Sequence, residues 1–277
     1  MAGKLTRAFL SREQINLITS QTFGDILLGR PEQSVWDESI TQNYTLGSRK
    51  IVCNGGVPRV YYYARVNPNI TAAMDRGRPM FSSDAGVERG AFLGAQTDGL
   101  YTVNWTTVGV LTANQYANGW LLIQGGRALE VKSHPAAAAG GTVIPLTLYD
   151  PIPETIGAGR AALLQQNPYA MVRQMQATGV QINVAGCLMG VYNQFAPHAH
   201  AGYYVWLQTW GPCGVIGTPL TLGNALHEHA IYAGVTATDD QASLGAATDQ
   251  FLGNLMISAA ECTDGENFII VDLKIRP

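Results

Sequence analysis

Arg49-Lys50-Ile51-Val52-Cys53-Asn54-Gly55-Gly56 leads through Val57 and Pro58 into Arg59-Val60-Tyr61-Tyr62-Tyr63-Ala64-Arg65-Val66. Two runs rich in β-branched and aromatic residues flank a glycine turn, which is the pattern of a β-hairpin. Such side chains suit a pleated, half-buried surface. Downstream the same pattern continues. Strands are expected at 100–103, 107–111, 119–124, 128–132 and 143–148, with glycine or proline in nearly every gap. Short strands punctuated in this way read as a sandwich or barrel. Residues 44–150 are therefore expected to form a first β module.

Beyond it, Asp150-Pro151-Ile152-Pro153 is stiff and extended, because each proline biases its predecessor away from helix. Residues 158–166 fit a short helix ended by Asn167-Pro168, and 169–175 fit either helix or strand. The segment 151–178 reads as a connection. Strands resume at 181–185, 187–192, 203–210, 213–216, 230–233 and 267–275, giving a second β module over 179–277. In the last run Ile269, Val271, Leu273 and Ile275 alternate with Phe268, Ile270, Asp272 and Lys274, a half-buried strand. A weak echo links 117–125 with 201–209: in each, a glycine turn enters an aromatic-aliphatic strand that ends near Gln.

Upstream of the hairpin lies an arm, residues 1–43. Ser11-Arg12-Glu13-Gln14 is a capping box, and Leu10 and Ile15 occupy the positions of a hydrophobic staple. A short helix is expected from 12 to about 21, followed by an irregular strip through Arg30-Pro31 and Trp36. An arm with so little core of its own needs a docking surface, on its own body or on a neighbour. The fold class expected is all-β: two sandwich- or barrel-like modules with an N-terminal arm carrying a short helix.

Composition narrows the function. The 277 residues hold 17 basic and 20 acidic side chains, only 13% charged, against 47% hydrophobic. An average soluble domain carries roughly 25% charge. The net charge of −3 gives no global attraction to nucleic acid or anionic membrane. No apolar run approaches the roughly 20 residues of a membrane helix, and 1–10 lack the apolar stretch of a signal peptide. Glycine (31 residues) and neutral polar side chains fill the places of charges, and only four basic residues are lysine. That composition suits surfaces covered by neighbours.

Catalytic patterns are scarce. His198 and His200 flank Ala199, and His227 and His229 flank Glu228. In a strand, i and i+2 share a face, so each pair could chelate a borderline metal. Both pairs sit beside loop signals, however, and no Cys or Asp stands close enough to complete four ligands. They read as surface or interface histidines, and no metal or cofactor is expected. Cys53, Cys187, Cys213 and Cys262 form no C-x-x-C and read as reduced, small hydrophobes. No G-x-S-x-G elbow or phosphate-binding glycine loop occurs. Asp239, Asp240, Asp249, Glu261 and Asp264 fall in Thr/Ala/Gly-rich loops and read as solvated acids. Arg59, Arg65, Arg76, Arg78 and Arg89 lie near Tyr61 to Tyr63. Such a surface could grip phosphates or bases, but Tyr and Arg are also favoured protein-contact anchors. The acidic chain and scarce lysine favour protein contact.

Several pieces in order resemble one family. They are Arg59-Val60-Tyr61-Tyr62-Tyr63-Ala64-Arg65, then Thr71-Ala72-Ala73-Met74 and Gly77-Arg78-Pro79-Met80-Phe81. Gly119-Trp120-Leu121-Leu122-Ile123, Pro145-Leu146-Thr147-Leu148-Tyr149-Asp150-Pro151 and Asn167-Pro168-Tyr169 follow. The most distinctive is Ala201-Gly202-Tyr203-Tyr204-Val205-Trp206-Leu207-Gln208-Thr209-Trp210-Gly211-Pro212. Together, over about residues 45–275, they resemble the decoration (cement) proteins of tailed-phage capsids; the arm and the histidine pairs have no counterpart in that pattern. The resemblance implies a non-enzymatic β protein that binds the outer surface of the capsid and stabilises it by bridging major capsid protein subunits. It implies a virion location at the capsid surface after synthesis in the host cytoplasm. The implied partners are the major capsid protein and the chain itself as a homo-oligomer, a trimer being common in the family, with no nucleic acid and no membrane. Candidate interface residues are Trp36, Arg59, Tyr61, Tyr63, Arg65, Arg78, Tyr203, Trp206 and Trp210. The alternatives are another virion component (tail, baseplate or fibre, with carbohydrate-binding surfaces) and a β-fold hydrolase using the carboxylates or histidine pairs.

Overall fold

The computed structural model describes residues 33–53, 56–69, 74–75, 77–82, 87–173, 184–188, 198–216, 230–233, 242–243, 250–256 and 268–275. Among them the fold is all-β, without a helix. The helix expected over 12–21 lies outside the described residues.

In chain order the first strands are β1 (Arg49–Val52), β2 (Arg59–Arg65), β3 (Met74–Asp75) and β4 (Pro79–Phe81). Then come β5 (Val87–Phe92), β6 (Thr102–Thr106), β7 (Trp120–Ile123), β8 (Arg127–Ser133), β9 (Val143–Leu148) and β10 (Ala161–Gln165). The remainder are β11 (Val184–Leu188), β12 (His198–Ala199), β13 (Tyr204–Ile216), β14 (Ala230–Ala233), β15 (Ala242–Ser243), β16 (Gln250–Leu255) and β17 (Phe268–Lys274). Strands β5 to β10 close into a barrel in the order β10-β5-β6-β9-β8-β7. The others form an open sheet, β1-β2-β13-β17-β16-β14-β15, to which β11 and β4 add through β13; β12 and β3 form a separate pair.

The 49–65 hairpin forms as the sequence predicts, antiparallel from Arg49↔Tyr62 to Val52↔Arg59. Its place in the architecture differs, because β2 pairs along β13 from Tyr204↔Arg65 onward. The hairpin therefore belongs to the open sheet, and the barrel is one contiguous stretch between β4 and β11. The sheets do not follow a division into 44–150 and 179–277.

The barrel corrects two further expectations. Residues 158–166 hold a strand, β10, which bonds to β5 on one side and β7 on the other and so closes the barrel. Ala161-Ala162-Leu163-Leu164-Gln165 has helix-favouring composition, but two waiting strand edges override a propensity worth tenths of a kcal/mol per residue. In place of strands at 100–103 and 107–111 there is one, β6, which turns Val103 and Trp105 inward. Inside, Val103, Trp105, Leu121, Leu146 and Leu164 are fully buried. Gly90 makes room for the indole, since a Cβ there would stand 2.5 Å from the Trp105 ring.

Around β2 and β13 the open sheet is buried on both faces. Tyr61, Tyr63 and Trp206 lie in one core with Val271 and Leu273. Ala64, Val205 and Leu207 lie in the other with Tyr169 and Val172 from the connecting segment. Val172 bridges to Val66 and Arg173 to Phe81. That role fits a segment whose sequence suits either helix or strand. Residues 203–210 and 213–216 merge into the 13-residue β13, and the described residues 184–188 form β11 across the break expected at 186. A register shift between Gln208 and Trp210 bends β13, as bulges do. Buried Gln208 staples the bend: its Nε2 donates to the carbonyls of Trp210, Gly211 and Pro212 at 3.0, 3.0 and 2.9 Å. The C-terminal alternation is as predicted, with Ile269, Val271 and Leu273 buried and Ile270 exposed.

Candidate functional site

Part of the arm docks on the chain's own body. Ser39 and Tyr204 exchange backbone hydrogen bonds of 2.9 and 2.7 Å. Buried Gln33 fills its capacity: Nε2 donates to the carbonyls of Asp37 and Tyr204, and Oε1 accepts from the Tyr63 hydroxyl (2.9 Å) and Asn43 Nδ2 (3.1 Å). The Lys50 ammonium donates to the Gln33 carbonyl at 3.3 Å and lies 5.5 Å from the Trp206 ring centre. Glu38 clasps His200, accepting its backbone N–H at 3.0 Å and pairing with its Nδ1 at 2.5 Å. These hydrogen bonds satisfy the strip's buried polar groups, and Val35 adds an apolar anchor in the sheet's core.

This seat decides the fate of several candidate interface residues. Tyr61 and Tyr63 share a face of β2, and they and Trp206 are at most 1% exposed. Tyr63 and Trp206 lie 4.9 Å apart by ring centres, with Tyr44 against both. Burial pushes the Tyr61 and Tyr63 hydroxyls up to about 12. These three residues anchor the chain's own core and cannot reach a partner. Arg65 is half-buried, 5.7 Å from the Tyr204 ring centre, and donates to the Gly202 carbonyl. Arg59, Arg78, Tyr203 and Trp210 are half-buried, Trp210 pairing with Val60 next to Arg59, while Trp36 is exposed. Aromatic alternation along a strand signals core as readily as interface, and here the core reading holds.

A surface that the sequence reading did not single out lies on the barrel. Cross-strand partners align three rows of outward side chains. They run Glu130-Trp120-Gln165-Val87, Ala128-Leu122-Leu163-Arg89 and Ala161-Ala91-Thr106-Val143. Charge appears only at Glu130, at the β8 end, and at Arg89 on β5, between Val87 and Ala91. Trp120 is 37% and Val87 50% exposed. Burial first, and the nearby Asp150 second, raise the Glu130 carboxyl above the ordinary carboxylate range. The signal for this wall was present in Trp120-Leu121-Leu122-Ile123 and Ala161-Ala162-Leu163-Leu164, which are apolar on both faces. Strands that read this way are covered on both faces, yet among the described residues the outer face stays partly open, with Trp120, Val87 and Val143 exposed.

Among the described residues no group of three or more His, Cys, Asp and Glu side chains could hold a metal ion. His227, His229 and the acids Asp239, Asp240, Asp249, Glu261 and Asp264 lie outside the described residues, as does Cys262. Cys187 and Cys213 are buried, and Cys53 is half-buried. Hydrogen bonding with Cys187 and burial hold the Cys213 thiol well above its ordinary range, which disfavours the reactive thiolate. No described helix is long and apolar enough to cross a membrane. Comparisons with protein families, curated proteins and solved structures find no match.

Proposed function

We propose that this chain is a non-enzymatic structural protein of a phage virion, which binds the outer surface of the capsid and stabilises it by bridging major capsid protein subunits. The barrel wall carries this reading. Three rows across the strands hold two charged side chains among twelve and leave Trp120, Val87 and Val143 exposed. Exposed apolar patches bordered by polar residues mark sites of protein contact. Charge depletion at the centre is the compositional mark of an interface. The sequence resemblance supplies the partner's class. Binding to the assembled capsid stabilises it by mass action, and many copies, joined as homo-oligomers, multiply modest contacts through avidity.

The test is co-sedimentation of the purified chain with capsids stripped of it. Saturable binding and a raised thermal disruption temperature are expected, with both lost in Leu163→Glu. Failure of the wild type to bind, or its recovery with isolated tails instead, would overturn the reading.

A further inference from the structure

Between the barrel and the open sheet runs a groove of about 610 Å³, within the range of small-molecule sites. One wall comes from Arg65 at the end of β2 and from Gln42 of the arm; the other comes from Asn114, Gln115, Asn118 and Lys132 of the barrel.

Its hydrogen-bonding character is lopsided. Asn114 Oδ1 accepts the His134 backbone N–H at 3.0 Å, and Gln115 Oε1 accepts that of Thr112 at 3.1 Å. A backbone N–H only donates, so both amides are fixed with their NH2 ends left over. Asn118 Oδ1 accepts the Tyr149 hydroxyl at 2.9 Å, which leaves a third. Gln42 is the reverse: its Nε2 donates to the Tyr44 carbonyl, and its oxygen is left as an acceptor. Arg65 and Lys132 add one cation to each wall, and no carboxylate stands among the described lining residues.

The backbone is arranged to this end. Asn114 and Asn118 are the two non-glycine residues with positive φ among those described, at 58° and 59°, a conformation Asn tolerates better than most. Lys132 occupies the register shift of β8 between Val131 and Ser133, and bulges re-aim side chains at sites.

We propose that this groove binds a carboxylate-bearing oligosaccharide. The cations and surplus amide donors fit a carboxylate and ring hydroxyl oxygens, and the Gln42 oxygen takes a hydroxyl proton. A phosphodiester strand fits less well. It presents a regular series of charges and is held by several cations, whereas this groove has two. The base-stacking surface such sites use is taken, since Arg65 lies over the Tyr204 ring. An extended peptide would need more acceptors for its N–H groups.

The test titrates the full chain, by calorimetry, with trigalacturonate, a hyaluronan tetrasaccharide and sialyllactose. Chitotetraose, tetraglutamate and an octathymidylate serve as comparisons. At least one carboxylated saccharide is expected to bind, with chitotetraose at least about tenfold weaker, the size of one charge-assisted contact. Lys132→Glu, at an exposed side chain, is expected to reduce that affinity at least about tenfold with an unchanged melting temperature, and Lys132→Arg to retain it. The proposal is overturned if none of the carboxylated saccharides binds, if chitotetraose binds equally well, or if the peptide or oligonucleotide binds more tightly. It stands apart from the capsid proposal, because Lys132→Glu leaves the Leu163 wall intact.

Discussion

The barrel and the open sheet are built from the same neutral, β-rich composition but manage their exposed backbone and apolar surface in opposite ways. The barrel closes on itself: β10 bonds to β5 and β7, so no edge remains. It does so with contiguous chain, and its outer wall leaves Trp120, Val87 and Val143 exposed. The sheet stays open and draws its strands from both sides of the barrel in sequence. Around β2 and β13 the sheet's two faces are covered by the chain itself, one with Val35 of the arm and the adjoining Tyr44, the other with Tyr169 and Val172 from the connecting segment. The centre of the sheet is thus covered from within, whereas the barrel keeps apolar side chains of its outer wall exposed among the described residues.

The largest expected effects test whether the two bodies are separable. Trp105→Ala empties the barrel core and Trp206→Ala the sheet core; each should cost about 3–5 kcal/mol. Native-state hydrogen exchange should then show Trp105→Ala loosening the amides of β5 to β10 first, and Trp206→Ala those of β2 and β13. Equal loosening throughout by either variant would break the comparison, making the chain a single cooperative unit.

A smaller effect belongs to the sheet alone. Gly211 has φ +82°, and a Cβ there would meet the Pro58 carbonyl oxygen at 2.5 Å. Gly211→Ala should cost about 1–3 kcal/mol, from backbone strain and the shift it forces. Urea unfolding followed by sheet-specific probes would register it; an unchanged midpoint would mean that the bend in β13 is not fixed by this contact.

Acid should act on the barrel. His134 is buried there, with Nε2 accepting the Tyr116 N–H at 3.0 Å and Nδ1 on the Pro135 carbonyl. Burial lowers its pKa below the ordinary 6.5, although the Pro135 bond and Glu88 pull the other way. The unfolded chain therefore takes up the proton more readily. This contribution to stability is complete above about pH 6.5 and declines as pH falls through the folded value. His134→Gln should flatten that part of the pH profile; an unaltered slope would assign the acid sensitivity to another group.

The smallest effect on stability sharpens the contrast most. Val87→Glu on the outer wall should change folding stability by no more than about 0.5 kcal/mol while weakening attachment to capsids. A large stability loss would mean that the wall already packs within the chain.

How much of this was legible follows the same division. The hairpin at 49–65, β9 and β17 were readable because alternation and turn chemistry are local. Strand β10 was not, since its Ala-Ala-Leu-Leu-Gln composition favours helix and only the slot between β5 and β7 makes it a strand. Tyr61, Tyr63 and Trp206 read as anchors because aromatic residues serve interfaces and cores alike, and sequence alone does not say which side is covered. The donor-rich groove was hidden for another reason. Asn114, Gln115 and Asn118 look like ordinary turn residues, and Arg65 reaches Lys132's neighbourhood only through the packing of the two bodies.

The central claim is that the barrel wall is the face turned to neighbouring subunits. A cryo-EM reconstruction of the virion that carries this chain tests it most directly. Capsid protein density packed against Trp120, Leu163 and Val87 is expected. A barrel on the particle whose wall faces solvent, or a particle head without this chain, would contradict it.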